Sequence, residues 1–128
     1  MNEKLLTVIV VDDDESVCRA MKRLLMSNGY RVLTFESAED LLLSRLAWDE
    51  ICLLLDIRLP GISGLELYAR LVSSGVKCPV VFMTAHDDSQ WMERAKDVGA
   101  VAFLRKPFGE QSLLTAIALA CGTGERTE

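Results

Sequence analysis

The sequence predicts an α/β domain: a five-stranded, doubly wound parallel sheet with helices on both faces. Two observations carry this. Short β-like runs alternate five times with segments whose apolar residues recur at helical spacing, and the connections between them are short. Several runs, such as Ile51-Cys52-Leu53-Leu54-Leu55, are continuously apolar rather than alternating, which marks strands buried on both faces. A chain of 128 residues is long enough for one domain with a real core and too short for two.

Leu6 to Val11 reads as the first strand, and Ser16 to Asn28 as a helix with Val17, Met21, Leu24 and Leu25 on one face. Gly29 follows where a helix end favours a left-handed residue. Arg31 to Phe35 is a second, alternating strand. Ser37 is a candidate N-cap, with Glu39 and Asp40 in the first turn of a helix reaching about Ala47. Ile51 to Leu55 forms the third strand, and a helix from Leu65 to Ser73 follows the loop 57–64. Pro79 opens a fourth strand, Val80 to Met83, ending at Thr84-Ala85. A loop with His86, Asp87 and Asp88 leads to a helix from Ser89 to Val98, stopped by Gly99. Val101 to Leu104 is the fifth strand, and Glu110 to Cys121 the last helix, apolar at Leu113, Leu114, Ile117 and Cys121. The domain fills residues 1–121, and 122–128 reads as a polar tail or the start of a linker.

Composition narrows the function. Half the residues are hydrophobic and 26% are charged, as in globular domains. A net charge of -5 argues against direct nucleic-acid binding, which needs a basic face. Apolar stretches of about seven residues fall far short of the ~20 a membrane helix requires, and no export signal is visible. Cys18, Cys52, Cys78 and Cys121 are widely spaced, which fits reduced thiols in a cytoplasmic protein. With that spacing and His86 as the sole histidine, a zinc site is disfavoured.

In an open sheet of this kind ligands bind beyond the carboxyl ends of the strands, at the switch in strand order. Asp12 and Asp13 end the first strand, Asp56 the third, Thr84 the fourth and Lys106 the fifth. Gathered carboxylates suit a hard divalent cation such as Mg²⁺, which takes one or two carboxylates, water and often a phosphate oxygen. A carboxylate can also attack phosphorus, with Lys106 and Thr84 left to bind phosphoryl oxygens. Plainer roles compete. Asp14 and Glu15 read as capping residues, Thr84 alone would be an ordinary strand residue, and Lys106 alone an exposed lysine before a turn. His86 reads as a loop residue near the site.

Four segments together resemble the receiver domains of two-component response regulators. They are Val10-Val11-Asp12-Asp13-Asp14, Leu54 to Gly64 (LLDIRLPGISG), Val81-Phe82-Met83-Thr84-Ala85, and Phe103-Leu104-Arg105-Lys106-Pro107-Phe108. The match runs from Val8 to about Ala120. It implies a flavodoxin-like sheet of strand order 2-1-3-4-5. Asp56 would accept a phosphoryl group from a phosphohistidine on a sensor histidine kinase, becoming an aspartyl phosphate. Asp12, Asp13, Asp56 and the backbone carbonyl of Arg58 would hold Mg²⁺ or Mn²⁺. Thr84 and Phe103 would be the switch pair, Lys106 would bind a phosphoryl oxygen, and Pro107 would support the loop through a cis bond. The wording around Arg58-Leu59-Pro60, Thr84-Ala85-His86 and Lys106-Pro107-Phe108 looks like the subgroup whose receivers precede a helix-turn-helix DNA-binding domain. The resemblance further implies a switched face at the fourth helix, fifth strand and fifth helix, with homodimerisation or release of an effector as the output. Such a protein is a self-modifying substrate rather than a turnover enzyme.

Departures are modest. Phenylalanine at 103, where many members carry tyrosine, excludes a phenol-based switch. Trp91 would serve a partner if exposed and pack locally if not. Two further readings stand beside this one: a phosphatase with an aspartyl intermediate, whose second aspartate is here Arg58, and a pseudo-receiver that only binds proteins. A flavin carrier fits poorly, because three aspartates in the first loop would repel its phosphate.

Overall fold

The structure, a computed structural model, describes residues 6–85 and 89–121. Among these, strands and helices alternate in the order β1 (Thr7–Val11), α1 (Glu15–Ser27), β2 (Arg31–Phe35), α2 (Ala38–Leu43), β3 (Ile51–Asp56), α3 (Gly64–Ser73), β4 (Val80–Thr84), α4 (Ser89–Asp97), β5 (Ala102–Arg105) and α5 (Glu110–Cys121). All strand pairs are parallel, in the spatial order β2-β1-β3-β4-β5. The expected five-stranded parallel sheet is therefore present, with its order.

The pleat divides the apolar residues between two cores. Val8 and Val10 of β1, Cys52 and Leu54 of β3, and Val81 and Met83 of β4 point to one face. They pack there with Cys18, Met21 and Leu25 of α1 and Leu113, Ala116 and Ile117 of α5. Ile9 and Val11, Leu53 and Leu55, and Val80 and Phe82 point to the other, against Leu41 of α2, Leu67 and Leu71 of α3 and Ala95 of α4. Every residue of β3 and β4 is buried, which is why those stretches show no polar alternation.

Caps set the helix ends. Asp14 has extended backbone and accepts from the N–H groups of Ser16 and Val17, so the third aspartate of the triplet caps α1 as expected. Ser37 caps α2 by accepting from Asp40 N at 3.0 Å, and Ser63 caps α3 by accepting from Glu66 N at 3.1 Å. Most boundaries fall within one residue of expectation, and one differs by more. Helix α2 stops at Leu43, four residues before Ala47. Ser44 turns to an extended backbone, and both its N–H and its hydroxyl bond the Leu41 carbonyl. The freed segment lays Leu46 and Trp48 against the second core.

The loop after β3 turns on close approach. A Cβ placed on Gly64 would lie 2.2 Å from the Asp56 carbonyl oxygen, so only glycine lets α3 start this near the strand end. The Gly64 N–H donates to the Ile57 carbonyl at 2.8 Å and closes the loop. Gly64→Ala is expected to lower stability by roughly 2–4 kcal/mol, measured as the urea midpoint, because backbone rather than a flexible side chain must yield.

Candidate functional site

The switch in strand order lies between β1 and β3, whose neighbours diverge to either side. Asp12 follows β1 and Asp56 ends β3, so the two carboxylates share the crevice this opens. Asp12 is fully buried and Asp56 is 7% exposed, whereas Asp13 is exposed at the rim. Oxygens of all three lie within 4.8 Å of one another.

Two buried carboxylates this close repel, and a cation between them offsets the cost. The Lys106 ammonium takes that place. Its Nζ lies 2.6 Å from Asp12 Oδ2 and 3.2 Å from Asp56 Oδ2. The remaining oxygens accept main-chain donors: Asp12 Oδ1 from Asp14 N–H at 2.9 Å, and Asp56 Oδ1 from Arg58 N–H at 3.1 Å. Among the described residues no buried side-chain nitrogen or oxygen lacks a partner. Burial raises the Asp56 carboxyl above its ordinary range; the Lys106 charge opposes this, and the Asp12 charge adds to it. Burial pulls Lys106 downward, but its hydrogen bond to Asp12 and the charges of Asp56 and Asp12 outweigh that and hold the ammonium protonated.

The strands present these groups from separate parts of the chain. Lys106 follows β5, its N–H donates to the Thr84 carbonyl at 2.7 Å, and its bond to Pro107 is cis. Thr84 ends β4 buried, one residue beyond Met83, which pairs with Asp56 in the sheet. Phe103 lies within β5, half-buried, paired with Phe82 and packed on the α4 side rather than in the crevice. Arg58 meets Asp56 through its N–H. Trp91 is half-buried against the second core, with the Arg94 guanidinium 5.2 Å from its ring centre, so local packing holds it. His86 lies outside the described residues.

Some supports carry no sequence signal. The Cys18 thiol donates to the Asp12 carbonyl at 3.3 Å from one turn into α1, and burial pushes that thiol up to about 11. Glu39 reaches from α2 to accept from the Ile62 N–H at 3.4 Å, bracing the loop after Asp56. In the sequence Cys18 reads as one of four widely spaced thiols and Glu39 as an ordinary first-turn acid. Only the fold brings them here.

Comparison with known proteins identifies the class. The family model described as the response regulator receiver domain matches residues 8–118, and the chain belongs to that family. Among similar curated proteins, Nodulation protein W of Bradyrhizobium diazoefficiens is 42% identical over 113 residues, covering 88% of this chain and 50% of that protein. The transcriptional regulatory protein TdiR of Thauera aromatica is 41% identical over 111 residues, covering 87% and 49%. The chain thus spans about half the length of the curated relatives it matches. Among solved structures, the response regulator StyR superposes with a TM-score of 0.82 at 45% identity, over 94% of this chain and 61% of that one. FixJ-N superposes at 0.83 and 32% identity, over 93% and 95%. This is a receiver domain of two-component signalling, and no described helix is long and apolar enough to cross a membrane.

The electrostatics predict opposite outcomes for two substitutions in a chelator-containing buffer. Lys106→Met leaves two buried carboxylates uncompensated and should lower the unfolding free energy by about 3 kcal/mol. Asp56→Asn removes one of the repelling charges and should raise the urea midpoint at neutral pH. Equal midpoints for the two variants would contradict the arrangement.

Proposed function

We propose that Asp56 accepts a phosphoryl group from a phosphohistidine on a sensor histidine kinase, and that this aspartyl phosphate switches the face formed by α4, β5 and α5. One observation carries the reading: a nearly buried carboxylate at a strand end, flanked by two further carboxylates and contacted by a lysine ammonium. Three clustered carboxylates are the hard oxygen donors that suit Mg²⁺ or Mn²⁺, so the residues fit the ion. Asp12, Asp13, Asp56 and the Arg58 carbonyl would hold it. When bound, the ion supplies positive charge to the phosphoryl oxygens.

In the transfer an Asp56 oxygen attacks phosphorus, the bond from phosphorus to the kinase imidazole breaks, and the imidazole departs. Lys106, already within reach of Asp56, pairs with a phosphoryl oxygen. The Thr84 hydroxyl donates to another, and Phe103 turns inward behind it. The protein binds and orients; it is consumed once per event rather than turning over. An apolar groove of about 510 Å³ adjoins Lys106, lined by Val17, Met21 and Leu24 of α1 and by Phe108 and Leu113, and it offers the kinase an approach. Leu119 of α5, with Val98 and Val101 in the α4–β5 connection, is exposed beside the switching face and suits a homodimer contact. If the natural chain continues, the output domain is a DNA-binding one, and we place the domain in the cytoplasm.

Incubation with acetyl phosphate and Mg²⁺, read by intact mass, should give a single phosphoryl adduct. It should vanish in Asp56→Asn and on chelation, and fall in Asp13→Asn at limiting Mg²⁺. An undiminished adduct in Asp56→Asn would sink the assignment.

A further inference from the structure

Glu39 makes contacts that its place in the first turn of α2 does not require. Its Oε2 accepts from the Ile62 N–H at 3.4 Å. The same oxygen lies against Gly61, where an added Cβ would come within 2.8 Å of it. Gly61 adopts φ +77, so glycine both serves this turn and leaves room for the carboxylate. The remainder of the loop 57–64 is fixed near its ends. The Ile57 N–H donates to the Met83 carbonyl at 2.9 Å, the Gly64 N–H to the Ile57 carbonyl at 2.8 Å, and the Arg58 N–H to Asp56 Oδ1 at 3.1 Å. Ile57 and Leu59 are buried. Pro60 and Gly61 are exposed, so packing holds this stretch least, and it is here that Glu39 reaches in from a separate helix.

Glu39 itself starts from a firm base. Ala38 and Leu41 of α2 are buried, and Ser37 caps the first turn by accepting from the Asp40 N–H at 3.0 Å. Just before that cap, the Phe35 carbonyl accepts from the Asp12 N–H at 3.1 Å. The contacts close a ring around the crevice. It runs from Asp12 to the end of β2, through α2 to Glu39, across to Ile62, and back through Arg58 to Asp56.

We propose that Glu39 is a positioning residue for the cation site: by holding the tip of the loop 57–64, it keeps the Arg58 carbonyl where it completes the Mg²⁺ donors with Asp12, Asp13 and Asp56. This role presupposes that the carboxylate cluster is a Mg²⁺ site, as proposed above. Glu39 acts through the loop rather than on the ion. A loop that is already fixed loses less freedom when the ion takes up its carbonyl, so the free energy of binding is not spent on ordering it. The bond to Ile62 needs an acceptor oxygen at the right reach, and a glutamine side chain supplies one without the charge. Position and charge are therefore separable by substitution.

The test is an amide NMR titration of the full chain with Mg²⁺ alone, joined to hydrogen exchange at the Ile62 amide in the metal-free protein. Glu39→Ala should speed exchange at Ile62 and weaken Mg²⁺ binding about threefold, the low end for loss of one exposed hydrogen bond. Its metal-free urea midpoint should match the wild type. Glu39→Gln should bring both exchange and affinity back close to wild-type values, which simple attraction between a carboxylate and the cation would not allow. Unchanged exchange or unchanged affinity in Glu39→Ala, a lowered metal-free midpoint, or a glutamine variant as weak as the alanine one would each overturn the positioning role and leave the cation site standing. A wild-type chain that binds no Mg²⁺ would overturn both.

Discussion

Everything at the carboxyl edge of the sheet depends on one ammonium group between two carboxylates. Buried Asp12 and Asp56 are tolerated because Lys106 contacts both, and because main-chain N–H groups hold their other oxygens. A fully apolar crevice of the same shape would be more stable and chemically inert. The fold instead keeps three carboxylates and one cation in a place where a phosphoryl group and a metal ion could share the same charges.

The positions of those groups follow from topology. Parallel strands all end at one edge, and the order β2-β1-β3-β4-β5 opens a gap beyond β1 and β3. Residues far apart in the chain arrive together because each is a strand terminus. The two apolar clusters keep the edge rigid: α1 and α5 brace one face, while α2, α3 and α4 brace the other.

Much of this was legible in the sequence, for identifiable reasons. Burial on both faces makes β3 continuously apolar, so its end at Asp56 stands out, and the acidic triplet divides between site and cap as its distance from the strand dictates. What was not legible is tertiary. Lys106 could be placed at a strand end, but its simultaneous grip on Asp12 and Asp56 requires the fold. The early stop of α2 depends on Ser44 satisfying Leu41 and on Leu46 and Trp48 finding the core, neither of which periodicity encodes. Glu39 and Cys18 show the same limit: their residue types are unremarkable until the chain is closed.

The Lys106 contact with Asp12 also joins residues 94 positions apart, and that with Asp56 joins residues 50 apart. Between them lies β4, which the lysine side chain must span to reach β3 and β1. Strand β5 is an edge strand with only Leu104 buried, so packing alone secures it weakly. The lysine therefore acts as a clasp, fastening the last quarter of the chain across its neighbour to the far side of the pocket. A change of charge at the carboxylates would act on that clasp, so an event at the sheet's centre would bear directly on one of its edge strands.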